Sequence, residues 1–382
     1  MQNMSPVQWV VKFILVPLGQ MLVFIAGSAL LLTFISYTIA FLIPFPNPEA
    51  ALRPNAVPLA DLLSNRIFAI ILSGIVIGFV YAMIALGYTL VYGVLKFINF
   101  AHSEIFMVGA VAGFEVIKFI EAQGYLVLWN PVPLVLLMAL ISMLVSGGLA
   151  VVVERVAYRP LRGAPRLVPL ISAIGVSLFL IDAVRAFEAI TRGDFNLIYP
   201  MNNLTWTDSF KIPLFDTELS VRPTQVIVIV GAILMLLFLN YFVNGTKLGR
   251  GIRAVSQDQA TAGLMGINAN RMISLTFFVG GALGGLAGML FALNTGKAEP
   301  TMGFAPGIVA FTAAVLGGIG SVPGALLGGL AIGMIRAFLD FMLSFFPAFG
   351  SRYTDIFTFA VLILILIFRP SGILGERVDE KV

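Results

Sequence analysis

Cysteine is absent from the 382 residues, which excludes disulfides and thiolate metal sites. A single histidine, His102, leaves no cluster for a histidine metal centre or a proton relay. Charged residues make up 11% of the chain against 59% apolar ones, and the mean hydropathy is +1.00. A water-soluble chain of this length needs far more polar surface, so its main solvent is lipid. No run of lysine and arginine resembles a nucleic-acid-binding arm; the net charge of +4 reflects basic loops on one membrane face. Enzyme signatures are missing as well. Gly296-Lys297 lacks the upstream glycine and the following hydroxyl of a nucleotide-binding loop. There is no GxSxG elbow, no HExxH and no acidic calcium loop. Any driving energy must come from another chain or from an ion gradient.

What is present is long apolar runs. A bilayer core of about 30 Å takes roughly 20 helical residues. By that rule ten candidate spans run at 17–43, 67–94, 99–118, 132–153, 167–187, 224–244, 272–294, 305–320, 322–343 and 354–369. The runs are continuous rather than alternating, which favours helices over a β-barrel. The expected fold is therefore an all-α, polytopic membrane helix bundle. The 305–320 run is short and glycine-rich, as in a broken or re-entrant helix. The first run, Phe13 to Ile43, is too long for a signal peptide and has only Lys12 as a nearby basic flank, so it reads as a retained anchor.

Basic residues orient the bundle. Loop 154–166 carries Arg155, Arg159, Arg162 and Arg166 against Glu154; loop 245–271 carries Lys247, Arg250, Arg253 and Arg271 against Asp258. A ten-span count puts both loops on one side with Lys12, Lys96, Arg369, Arg377 and Lys381. The positive-inside rule makes that side, and both termini, cytoplasmic.

Glycines four apart recur at Gly74/Gly78, Gly280/Gly284, Gly281/Gly285, Gly284/Gly288 and Gly324/Gly328, a spacing that lets helix backbones approach closely. The intramembrane charges are Glu104, Glu115, Lys118, Asp182, Arg185, Arg336 and Asp340. Helical spacing suggests the neutral pairs Glu115–Lys118, Asp182–Arg185 and Arg336–Asp340 near the outer ends of their spans. The span centres are nearly charge-free, which suits a conduit better than an ion-coupled motor.

Loop 245–271 reads GTKLGRGIRAVSQDQATAGLMGINANR. A short helix is expected from Ala254 to Met265, with Ser256 as a possible N-cap. Ala260, Ala262, Gly263 and Gly266 make its surface small, which suits either insertion into a partner's groove or a solvated loop at the membrane surface.

The loop resembles the coupling segment of LivH-type permeases of branched-chain amino acid importers, RA-x(3)-D-x(3)-A-x(3)-GI, through Arg253, Ala254, Asp258, Ala262, Gly266 and Ile267. The stretches YAMIALGYTLVYGVLKFINFAHSE (Tyr81–Glu104), VERVAYRPLRGAPRLVPLISAIG (Val153–Gly175), AFTAAVLGGIGSVPGALLGG (Ala310–Gly329) and the tail RPSGILG (Arg369–Gly375) are similar to the same family in the same order. One departure is Ser103, where the family usually has glycine in NFAHGE. The resemblance divides the chain into an extra N-terminal span and periplasmic loop (1–66), a permease core (67–375) and a cytoplasmic tail (376–382).

It also implies a multi-pass protein of a bacterial inner membrane. The chain would pair with a second, related permease, and two cytoplasmic ATPase subunits carrying ATP and Mg would dock on the coupling segment. A periplasmic binding protein would deliver the amino acid. No cofactor is expected on this chain. Asn99, His102 and Glu104, together with Gly317, Gly318, Gly320 and Gly324, occupy corresponding places in the two halves and are candidates for the translocation path. Urea or an amide is an alternative cargo within the same architecture; a standalone secondary transporter or channel is the alternative class.

Overall fold

The computed structural model describes residues 6–44, 57–126, 130–165, 167–200, 208–214, 217–346, 353–368 and 372. Arg166, the 376–382 tail with Arg377 and Lys381, and the Arg369–Gly375 motif apart from Gly372 lie outside the described residues.

Each of the ten apolar runs contains one helix: α1 (Val16–Leu42), α2 (Leu59–Leu95), α3 (His102–Ala122), α4 (Pro131–Val153), α5 (Leu167–Thr191), α6 (Pro223–Gly245), α9 (Ala269–Thr295), α10 (Phe304–Gly317), α11 (Val322–Leu343) and α12 (Thr354–Phe368). Two further helices, α7 (Lys247–Gln257) and α8 (Gln259–Leu264), fall in the basic loop. Helical turns at Pro6–Val10 and Val11–Leu15 lead into α1 and others at Glu154–Tyr158 and Arg159–Leu161 follow α4, and there are two short antiparallel ribbons: β1 (Leu197–Ile198) pairs with β4 (Lys297–Ala298), and β2 (Phe210–Leu214) with β3 (Thr217–Val221). Among the described residues, seven helices are long and apolar enough to cross a membrane. The remaining three runs differ for separate reasons. Helix α3 has 21 residues but carries Glu104, Glu115, Lys118 and Glu121. Helices α10 and α12 have 14 and 15 residues, about 21–23 Å at helical rise, short of a ~30 Å hydrocarbon core.

Local signals set the boundaries. The Asn130 side chain accepts from the Val132 amide and Pro131 opens α4. Asn268 caps α9 through the Arg271 amide at 3.0 Å, and Ser321 caps α11 through the Gly324 amide at 3.2 Å. Lys96 and Gly296 end α2 and α9 in left-handed conformations.

Helix α9 is the central post, packed on α2, α3, α4 and α6, while α11 packs along α2 and α10. Small residues make these approaches possible. A Cβ on Gly288 would overlap the Phe106 carbonyl oxygen of α3, and one on Gly285 the Ser146 side chain of α4. Gly78 and Gly333 meet backbone to backbone between α2 and α11. The glycine spacing therefore marks the inner helices. Helix α1 lies outside them against α2 and α11, with most of its large apolar side chains exposed, as suits a lipid-facing helix.

Charge pairing departs from two of the three expected neighbours. Glu115 pairs with Arg192 at 2.5 Å, and Lys118 with Glu121 at 2.6 Å. Arg336 pairs with Asp355 of α12 at 2.8 Å, while Asp340 accepts from the Thr354 hydroxyl. Only Asp182–Arg185 forms as its spacing suggests, at 3.0 Å. In the other two cases a residue from a neighbouring element or the next turn offered better geometry than the helical neighbour.

Candidate functional site

Two regions hold the residues singled out from the sequence. The first is the α2–α3 elbow. After Lys96 the chain turns back alongside α2, so that His102 lies beside Gly87, well inside α2, and beside Gly284, near the middle of α9. The His102 ring occupies the space where a Gly87 Cβ would stand, and it meets Tyr88 edge-on at 4.9 Å. Asn99, 2% exposed, accepts a 2.6 Å hydrogen bond from the Tyr158 hydroxyl and does not cap α3. It lines a small cavity with Tyr88, Tyr92, Phe311, Ala314 and Ile319.

Gly317, Gly318, Gly320 and Gly324 form the turn between α10 and α11, with positive φ at Gly318 and Gly320. Gly317 and Gly324 touch backbone to backbone. Through Ile319 this turn shares the cavity wall with Asn99, so the candidate elements of the two halves converge. Ser103, which replaces the usual glycine, fits because α10 presents Gly303 and Gly307 to it; a Cβ on Gly307 would overlap the serine side chain.

Glu104 is fully buried in the first turn of α3. Its Oε1 lies 3.2 Å from the Ser177 hydroxyl and 3.3 Å from that of Ser103. Ser103 has one proton and a shorter bond to the Phe100 carbonyl at 2.8 Å, so Ser177 is the main donor. Oε2 has no hydrogen-bond partner among the described residues.

The second region is the knuckle formed by α7 and α8 in the basic loop. The expected single helix is two helices with a break at Asp258. Ser256 sits inside α7 and donates to the Arg253 carbonyl, so it is not the N-cap. Asp258, in extended conformation, takes that role: its carboxylate accepts from the Ala260 and Thr261 amides at 2.8 and 3.1 Å and from the Thr261 hydroxyl at 2.6 Å. The Thr261 hydroxyl, then the backbone amides, hold the Asp258 carboxyl below the usual carboxylate range. One carboxylate oxygen takes both helix-end amides while the other accepts the Thr261 hydroxyl, a second acceptor that a serine lacks.

Arg253 is exposed and bonds Asn244 at the end of α6. Ala262 is buried and Ala254 partly so; they pack α7 and α8 against the bundle. Gly266 adopts φ +80, and Ile267 returns its amide to the Ala262 carbonyl, leading into α9. Sequence reasoning missed the most exposed apolar residues here, Leu264 at 88% and Met265 at 78%. An apolar pair just before a helix-ending glycine in a polar loop was the available signal.

The knuckle is anchored. Arg162, from the other basic loop, donates to Asn270 at 2.5 Å and pairs with Glu154. Glu154, fully buried, also binds Arg159 and accepts from Ser274 of α9 at 2.7 Å. The end of α4 and the start of α9 are thus clamped together.

Comparison with known proteins follows the same outline. The family model described as branched-chain amino acid transport system / permease component matches residues 70–366. The high-affinity branched-chain amino acid transport system permease protein BraD of Pseudomonas aeruginosa is 41% identical over 313 residues, covering 82% of this chain and 97% of its own. LivH of Escherichia coli, a permease protein of the same description, is 38% identical over 311 residues, 81% of this chain and 96% of its own. The probable branched-chain amino acid permease LivH of Methanocaldococcus jannaschii is 26% identical over 307 residues, 78% of this chain and 89% of its own.

Proposed function

The chain belongs to the permease-component family of branched-chain amino acid transport systems, and from that premise we propose that it forms the path for neutral branched-chain amino acids in an ATP-driven importer. It is a multi-pass membrane permease and not the catalytic subunit. In this reading ten helices enter the membrane and both termini lie in the cytoplasm with the knuckle. Two ATPase subunits, holding ATP and Mg, grip the knuckle; a second related permease completes the path; and a secreted binding protein supplies the amino acid.

The knuckle carries this reading. Leu264 and Met265 stand exposed at the end of a helix that Asp258 caps, and the chain then enters α9, whose first turns the Glu154 cluster holds to α4. Two adjacent apolar side chains this exposed suit a partner's groove. Bracing matters equally, because a push on α8 reaches the bundle only if the connection is stiff. Here α8 leads through Gly266–Asn268 directly into α9, the central post.

The test is co-expression of the chain with its permease, ATPase and binding-protein partners. Leu264→Asp with Met265→Asp is expected to weaken ATPase co-purification and ATP-dependent leucine uptake by at least about tenfold, with the chain still inserted. Full-rate uptake by the chain alone in liposomes would overturn the proposal.

A further inference from the structure

Among the described residues three glutamates are completely buried: Glu104, Glu154 and Glu188. Glu154 is paired with Arg159 and Arg162, and Glu188 with Arg192 at 3.0 Å. Glu104 has no cationic partner among the described residues. A buried carboxylate without a countercharge is costly in a membrane bundle, and such groups mark transport pathways.

Its surroundings are built for an anion that is only half satisfied. Ser177, near the middle of α5, supplies a hydroxyl to Oε1. Helix α10 begins at Gly303 without a side-chain cap, directly beside the carboxylate: a Cβ on Gly303 would stand 2.6 Å from Oε2. The positive end of a helix favours a negative charge there. Both α3 and α10 start next to Glu104; α3 starts beside the middles of α5 and α9, and α10 turns its buried Gly303 to the carboxylate while Phe304 is exposed. Helix starts of this kind, brought together inside a bundle, are where transporters bind their cargo. Oε2 itself has no hydrogen-bond partner among the described residues.

We propose that Glu104 is a cargo site, whose free oxygen pairs with the α-ammonium of a zwitterionic amino acid as it passes the junction of α3, α5 and α10. The proposal rests on the transport reading above and names the group that reads the cargo. A neutral amino acid still carries a full ammonium charge, which needs a carboxylate partner once water is stripped away. Glu104 meets that need, and in the closed bundle its free oxygen waits for a donor.

The experiment uses the full complex, reconstituted with the binding protein and ATP, importing leucine. Glu104→Gln, close in shape but uncharged, is expected to lower uptake at least tenfold, and Glu104→Asp, which keeps the charge, to recover part of that loss. Uptake by Glu104→Gln within twofold of wild type overturns the site, because a carboxyl serving only as a polar packing group tolerates the amide. Equal losses in the Gln and Asp variants also overturn it, pointing to shape rather than charge.

A second measurement needs no variant. With the binding protein left out, millimolar leucine should raise the melting temperature of the wild-type permease–ATPase complex, whereas 4-methyl-2-hydroxypentanoate, with hydroxyl in place of ammonium, should not; equal shifts from both, or none from leucine, overturn the proposal. If wild-type uptake proceeds with ATP while these signatures are absent, the site fails and the transport reading stands. If the wild-type complex imports nothing, the transport reading fails and the site with it.

Discussion

Glu154 and Glu104 are equally buried, yet among the described residues one meets two arginines and the other meets no cation. Glu154 sits where two basic loops meet and takes up Arg159, Arg162 and Ser274. Glu104 sits inside the bundle with the Ser177 hydroxyl as main donor to one oxygen and, among the described residues, no partner on the other. Burial alone therefore does not define a carboxylate's role. A fully paired one joins elements that must move together. An incompletely paired one is held ready for something that arrives.

The two predict opposite responses to neutralisation. Glu154→Ala leaves two arginines beside an emptied, buried position and should cost about 3–5 kcal/mol, read as a large drop in the melting temperature of the purified permease. A loss under about 1 kcal/mol would break the comparison. Ser274→Ala removes one hydroxyl donor from the same carboxylate and should cost less, about 1.5–3 kcal/mol by the same assay. Glu104→Gln removes no ion pair, so its melting temperature should shift by under about 1 kcal/mol even though its uptake suffers. A collapse in stability there would show that Glu104 is structural like Glu154.

The smallest effect concerns pH at the knuckle. The Asp258 carboxyl is held below its usual range, so its capping contribution is fully present above the unfolded value of about 3.9 and is lost as pH falls through the lower folded value. Amide exchange at Ala260 and Thr261, corrected for intrinsic rates, should stay protected from pH 8 to about 5 and weaken only below about pH 4. Asp258→Asn keeps an acceptor and should remove that dependence. Unchanged acid sensitivity in Asp258→Asn would assign it to another group.

Much of this was readable before any coordinates. Lipid has no water to satisfy a backbone, so each continuous apolar run had to be helical, and each of the ten runs contains a helix. The glycine spacing pointed to close packing, because small faces recur on one side of a helix whatever its neighbour. The Arg253–Ile267 pattern marked the knuckle. Side-chain partners were less accessible. Spacing along one helix suggested Lys118 for Glu115, but Arg192, 77 residues away, holds it. The N-cap fell to Asp258 rather than Ser256 because the chain breaks at the carboxylate, a choice local propensity leaves open. Leu264 and Met265 looked like ordinary helix residues until the inward packing of Ala262 left them outside.

Sequence by itself determined that this chain lives in lipid, is helical, and has a basic face with a compact loop helix, because solvent and backbone hydrogen bonding constrain every residue locally. Only the tertiary structure decided which charges meet and which is left alone. Pairing depends on which helices become neighbours, and that geometry left Glu104 without a cation while giving Glu154 two.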